Sequence, residues 1–175
     1  MSKTKIAIQG ELGAYSHIAA KEFFKDLDVK TCLTFEEAFK TAFENENYKI
    51  IIPLENSLAG RVADIHYLLP KYKLQIHAEH YQKVEHNLLC RQEADLKDIK
   101  YVRSHAQAIG QCQKMINELK FKTIISADTA GSAKDLSASK DKSIAAIASQ
   151  LSAEIYNLKI HLIEISQKLV YKPGY

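Results

Sequence analysis

The chain has 175 residues, enough for one domain with a real core or for two small lobes. Hydrophobic residues make up 46% and charged residues 26%, which is ordinary for a soluble globular protein. A net charge of +3 from scattered basic residues argues against nucleic acid; no apolar run reaches the length of a membrane span, and MSKTKIAIQG lacks the apolar core of a signal peptide. Cys32, Cys90 and Cys112 form an odd set with no C-x-x-C pairing, so reduced thiols and a cytoplasmic setting are expected. Lys5 to Ile8 reads as a short strand. Gly10 to Ser16 is a turn, and His17 to Phe24 reads as a helix with Ser16 as N-cap. Val29 to Leu33 is a second strand, and Phe35 to Phe43 an amphipathic helix whose aromatic stripe belongs in a core. Ile50, Ile51 and Ile52 form an unbroken β-branched run, the mark of a strand buried on both faces and stopped by Pro53. Leu58, Val62, Ile65, Leu68 and Leu69 then fall on one helical face, so a helix is expected from Leu58 to Leu69.

Leu74 to Cys90 has strand character throughout and is the candidate crossover to a second lobe. Its histidines His77, His80 and His86 match no strong metal spacing, and half-buried, hydrogen-bonded roles suit them better. Ile99 to Arg103 is a strand, followed by Ser104, His105 and a helix to Leu119 that carries Gln107 and Gln111 on one face. Adjacent Ser104 and His105 lack a nucleophile elbow and an orienting acid, which weakens a hydrolase reading. Phe121 to Ser126 is a strand, and Asp128 caps a helix to about Leu136. Ser143 to Ala148 is alanine-rich and fits helix or strand. Ser149 to Tyr156 reads as a helix, and Leu158 to Ile165 as a strand heading back to the first lobe.

One device recurs along the chain: an apolar strand, small polar residues, a helix start. It carries Ser16, then Asn56 and Ser57, then Ser104 and Gln107, then Asp128 and Thr129. Turns at the carboxyl ends of parallel strands gather in one crevice. Hydroxyls, amides and helix N-termini there suit a small anion, each helix end contributing about 0.3–1 kcal/mol. From the residues alone this reaches a two-lobed α/β protein for a small acidic metabolite.

The motifs themselves carry a resemblance. Pro53-Leu54-Glu55-Asn56-Ser57-Leu58-Ala59-Gly60-Arg61-Val62 resembles the P-x-E-N-S-x-x-G-x-V signature of prephenate dehydratases. Gly10 to Ser16 is similar to that family's G-x-x-G-[TA]-[FY]-S, His86 to Leu89 to its H-x-L-L, and Ser104 to Gln111 to its S-H-P-Q-A-x-x-Q with Ala106 in place of proline. Asp128 to Ala133 resembles its D-T-A-x-A-A. The resemblance runs in order from Ile6 to about Ile165.

It implies an α/β fold of two lobes, each with a mostly parallel sheet flanked by helices, resembling type II periplasmic binding proteins. Lobe 1 would hold residues 1–76 and 160–175, lobe 2 residues 77–159, with crossings near Gln75–His80 and Tyr156–His161. It implies decarboxylative dehydration of prephenate to phenylpyruvate in phenylalanine biosynthesis. Asn56, Ser104 and Gln111 would be catalytic, with Ser16, Glu55, Ser57, Gln107 and Thr129 binding substrate. No metal or organic cofactor is implied. Prephenate is the partner, nucleic acid and membrane are not, and a homodimer is expected. The family's Thr-Arg-Phe motif does not occur: the matching region reads Gln167-Lys168-Leu169-Val170-Tyr171-Lys172-Pro173-Gly174-Tyr175, and feedback through the family's ACT regulatory domain is not expected. Three readings therefore stand open: a dehydratase, a non-catalytic small-acid-binding module of the same fold, and an inactive fragment.

Overall fold

A computed structural model describes residues 3–162. The first sheet is built around β1 (Thr4–Gln9), whose Ile6, Ala7 and Ile8 are fully buried. β2 (Leu27–Cys32) and β3 (Tyr48–Ile51) flank it in the order β2-β1-β3, both parallel to it. Parallel neighbours need crossovers. Those are α1 (Tyr15–Phe23) and α2 (Phe35–Glu44). The Thr34 side chain caps α2 by accepting from the Glu37 N–H at 3.1 Å. Ser16 is not a cap: α1 starts one residue before it, after Ala14. The isoleucines at 50–52 are half-buried, not buried on both faces, because β3 is an edge strand.

The predicted helix from Leu58 is replaced by a tight hairpin, β4 (Glu55–Asn56) against β5 (Gly60–Arg61). Asn56 Oδ1 accepts from the Leu58 N–H at 2.9 Å and the Ala59 N–H at 3.0 Å. That local side-chain acceptor competes with a helical turn and wins. Gly60, at φ +81°, completes the reversal, and Leu58 is left exposed. The helix, α3 (Ala63–Tyr72), begins five residues late, yet Ile65 and Leu68 still pack on Phe39 of α2 as their spacing predicts.

Residues 74–86 contain no strand; regular pairing starts at β6 (Asn87–Cys90). A period-2 pattern gives a strand only where a neighbour offers hydrogen bonds, and this stretch crosses between sheets. The second sheet has the order β10-β6-β9-β7-β8. β7 (Tyr101–Ser104), β8 (Lys122–Ile125) and β9 (Ile144–Ala148) are parallel. β6 runs against β9 and against β10 (Lys159–Leu162). The alanine-rich segment is thus the central strand. Ala145 and Ile147 join Val102, Ile109 and Ile116 on one face, and Ala146 and Ala148 join Ala133 and Leu136 on the other. Alanines there let helices lie close on both faces.

The helices of this half are α4 (Ala106–Gln111), α5 (Gln113–Glu118), α6 (Thr129–Ala138) and α7 (Gln150–Ile155). The expected single helix to Leu119 is broken at Cys112, which separates α4 from α5. Asp128 caps α6 as predicted, its Oδ1 accepting from the Gly131 N–H at 2.6 Å. Ser149 caps α7 by accepting from the Ser152 N–H at 3.0 Å. β10 stays paired with β6 up to Leu162, so the expected return from residue 160 is not made within the described residues. The remainder of that predicted strand, and the region that replaces Thr-Arg-Phe, lie outside the described residues. The two-lobed α/β arrangement of helix-flanked, mostly parallel sheets is the one observed. Among the described residues no helix is long and apolar enough to cross a membrane.

Candidate active site

The carboxyl ends of β7, β8 and β9 lie side by side, and each leads into a helix through a serine. Ser104 ends β7; it is fully buried and its Oγ donates to the Ile147 carbonyl at 2.7 Å. Its own carbonyl accepts from the Ser126 N–H at 2.9 Å, which fixes the end of β8 beside it. The Ser104 proton is thus committed to backbone, and the hydroxyl offers the site lone pairs only. Ser104→Ala should leave the Ile147 carbonyl short of a donor and cost about 1–2 kcal/mol. Thermal unfolding should fall by roughly 2–8 °C for a chain of this size. An unchanged midpoint would show that this bond contributes nothing to the fold.

His105 caps α4, its Nδ1 accepting from the Gln107 N–H at 3.3 Å. That use of the ring leaves Ser104 and His105 in separate hydrogen bonds, so they do not form a nucleophile–base pair. Gln107 is exposed in the first turn of α4, and Gln111, at its last residue, is half-buried. Gln111 Oε1 lies 2.9 Å from His86 Nε2. Thr129 is the half-buried first residue of α6.

The turn after β1 docks on this edge. The Gly13 carbonyl accepts from Ser149 Oγ at 2.6 Å and Ser152 Oγ at 3.2 Å. Glu11 pairs with Lys134 of α6 at 2.8 Å. A side chain on Gly10 would come within 3.7 Å of Asp128 Oδ1. Ser16, half-buried, is therefore the second residue of α1, just after a turn of the first lobe that is fastened to two helices of the second. The Tyr156 hydroxyl is pushed up to about 12, first by burial and then by the negative charges of Glu11 and Asp128.

The hairpin bearing Glu55, Asn56 and Ser57 follows β3, which is hydrogen-bonded to β1 with Ile51 opposite Ile8. It therefore rises from the same edge of the first sheet as the Gly10–Ser16 turn. Glu55 and Ser57 are exposed and Asn56 is half-buried, with Asn56 Oδ1 occupied by the turn and, among the described residues, no protein acceptor for its NH₂ group. Among the described residues no hydrogen bond joins this hairpin to the second lobe. The structure thus docks the turn that precedes Ser16 on α6 and α7, with Thr129 opening α6, while Ser104 ends the strand β7 and Glu55 to Ser57 lie in the hairpin after β3.

Sequence reasoning missed Ser149 and Ser152, and took Gly13 and Tyr15 only as part of the Gly10–Ser16 motif, without a role of their own. Ser149 repeats the strand–polar–helix device a fifth time, and the ambiguous type of residues 144–148 concealed it. A groove of about 290 Å³ beside α1 and α7 is lined by Lys21, Glu22, Gln82 and Glu154 among others, and by none of the eight predicted site residues. Its mixed charges suit no single anion. Among the described residues, no cluster of three or more His, Cys, Asp or Glu could hold a metal.

The family model described as prephenate dehydratase matches residues 6–169. The chain belongs to the prephenate dehydratase family. It is 38% identical over 159 residues to arogenate dehydratase/prephenate dehydratase 1, chloroplastic, of Arabidopsis thaliana, covering 91% of this chain and 41% of that protein. It is 37% identical over 155 residues to a bifunctional N-acyl-homoserine lactone acylase/prephenate dehydratase of Komagataeibacter europaeus, covering 89% of this chain and 55% of that one. A solved structure described as a novel type of quorum quenching acylase superposes with a TM-score of 0.87 at 35% identity, over 94% of this chain and 60% of that chain. The chain thus spans 41% to 60% of the length of these relatives. The periplasmic-binding-protein-like fold is shared with solved prephenate dehydratases.

Proposed function

We propose that this chain serves the decarboxylative dehydration of prephenate to phenylpyruvate. The observation that carries the reading is the coincidence of family motif and geometry: the turn from Gly10 into α1, the Asn56 hairpin, the passage from Ser104 into α4 and the Asp128–Thr129 start of α6 all lie at or after carboxyl ends of strands in two sheets. In the reaction the ring loses carbon dioxide from one carbon and hydroxide, protonated to water, from another, and becomes aromatic. Orientation of two carboxylates is the demand on the protein. Asn56 and Gln111 supply neutral N–H donors for them, and Ser104 holds the end of β7 in place. Ser16, Glu55, Ser57, Gln107 and Thr129 line the substrate. General acid help to the departing hydroxyl is worth roughly 10²–10⁴-fold.

The division into lobes 1–76 and 77–159 is part of this proposal. So are a homodimer and a cytoplasmic setting. The acylase named for one relative is a second reading, and the separate hydrogen bonds of Ser104 and His105 remove the obvious nucleophile for it.

The test is turnover of prephenate by the 175-residue chain, read as phenylpyruvate absorbance in alkali. Saturable turnover is expected. Saturable binding of prephenate without product would make the protein a non-catalytic binding module, and cleavage of an N-acyl-homoserine lactone alone would favour the acylase.

A further inference from the structure

A buried chain of polar groups runs behind the residues assigned above. Tyr15, the first residue of α1, belongs to the first lobe. Its hydroxyl lies 2.7 Å from the Glu85 carbonyl and 2.9 Å from His86 Nδ1. The two rings meet edge-on with centroids 5.8 Å apart. His86 is 3% exposed, and its Nε2 faces Gln111 Oε1 on α4. Two hydrogen bonds therefore connect the first lobe to a glutamine of the second.

Proton counting sets the direction of this chain. An amide oxygen only accepts, so His86 Nε2 carries a ring proton and donates to Gln111. Burial disfavours the imidazolium and pulls the His86 pKa down, against a smaller upward pull from Gln111. The ring is neutral, and Nδ1 is an acceptor. The donor within reach is the Tyr15 hydroxyl, whose single proton points to the Glu85 carbonyl at 2.7 Å and is shared, as a three-centre bond, with His86 Nδ1 at 2.9 Å. Burial, then the neighbouring Cys112 and Glu85, hold that hydroxyl protonated. With Oε1 engaged, Gln111 turns its NH₂ group away from His86, and among the described residues that group has no acceptor in the protein. Rotated by half a turn, the same amide would present its oxygen, which repels a carboxylate.

We propose that Tyr15 and His86 are positioning residues that fix the Gln111 amide with its NH₂ group, not its oxygen, toward a substrate carboxylate. The carboxylate rests on the dehydratase reading; the amide orientation does not.

Two measurements test this. Long-range ¹H–¹⁵N spectra of the imidazole nitrogens of the 175-residue chain should show His86 as the Nε2–H tautomer. In Tyr15→Phe the Nδ1 resonance should move toward that of a bare nitrogen, and the Gln111 side-chain amide should shift with it. An Nδ1–H tautomer in the parent, or resonances unmoved in Tyr15→Phe, overturns the proposal even if prephenate is not turned over. With turnover in hand, Tyr15→Phe should raise KM about tenfold with kcat changed little, one lost hydrogen bond's worth of binding. In a Gln111→Ala background the same substitution should have no further effect, since the two act through one contact. Equal losses in both backgrounds would make Tyr15 merely structural and overturn the proposal. Absence of turnover in the parent would overturn the dehydratase reading alone.

Discussion

Asn56→Asp is expected to lower prephenate turnover by about 10²–10³-fold, the usual cost of losing one preorganised donor in an active site. The side chain has two jobs at opposite ends of one amide. Its oxygen holds the hairpin by accepting from the Leu58 and Ala59 N–H groups. Its nitrogen is, under the proposed function, the end that serves substrate. Aspartate keeps the first and replaces the second with negative charge, so the fold should survive while a dianionic substrate is repelled. Asn56→Ala removes both, and should lose turnover together with about 1 kcal/mol of stability from the broken turn. Steady-state kinetics and thermal unfolding of the two variants separate the jobs. Parental turnover in Asn56→Asp would remove Asn56 from the site and leave it a turn residue.

Gly13→Ala should be the most destabilising single-methyl change in the first lobe's turn. Gly13 sits at φ +92°, where a side chain costs about 1–2 kcal/mol. Its Cβ would stand 2.8 Å from Ser152 Cα, a backbone atom that cannot step aside. Overpacking of that kind costs a further 1–3 kcal/mol or so. Together these lower the midpoint by roughly 4–20 °C. Gly10→Ala is the matched control: φ is +91°, yet the nearest atoms are at 3.7 Å, ordinary contact. It should lose only the backbone part. Equal losses would mean that the seam between Gly13 and α7 yields, and that the first turn is not fastened to the second lobe as tightly as its two serine hydrogen bonds imply.

Much of the fold is legible where a residue's environment is set by its near neighbours. The strand at Lys5–Ile8, the helix at Phe35–Phe43, and the cap at Asp128 each follow from spacing and local hydrogen bonding within a few residues. The proposed site residues Ser16, Asn56, Ser104, Gln107, Gln111 and Thr129 are named through short motifs that resemble a family's, since such motifs survive in a few neighbouring residues. Where local signals compete, the sequence misleads. Leu58, Val62 and Ile65 carry helical spacing, but the Asn56 side chain claims the N–H groups that a helix would need. Leu74 to His86 alternates like a strand and finds no neighbour to pair with.

The sequence by itself determined most of the strands and helices, the α/β class and the residue types available after each strand, because periodicity and capping act over a few residues. Only the tertiary structure decided that residues 144–148 are the central strand, that β10 pairs with β6, and that Gly13 lies under Ser149 and Ser152. It alone joined Tyr15, His86 and Gln111, separated by 71 and 25 positions along the chain. A pairing partner or a hydrogen bond across such a distance depends on where two surfaces meet, and no local pattern encodes that.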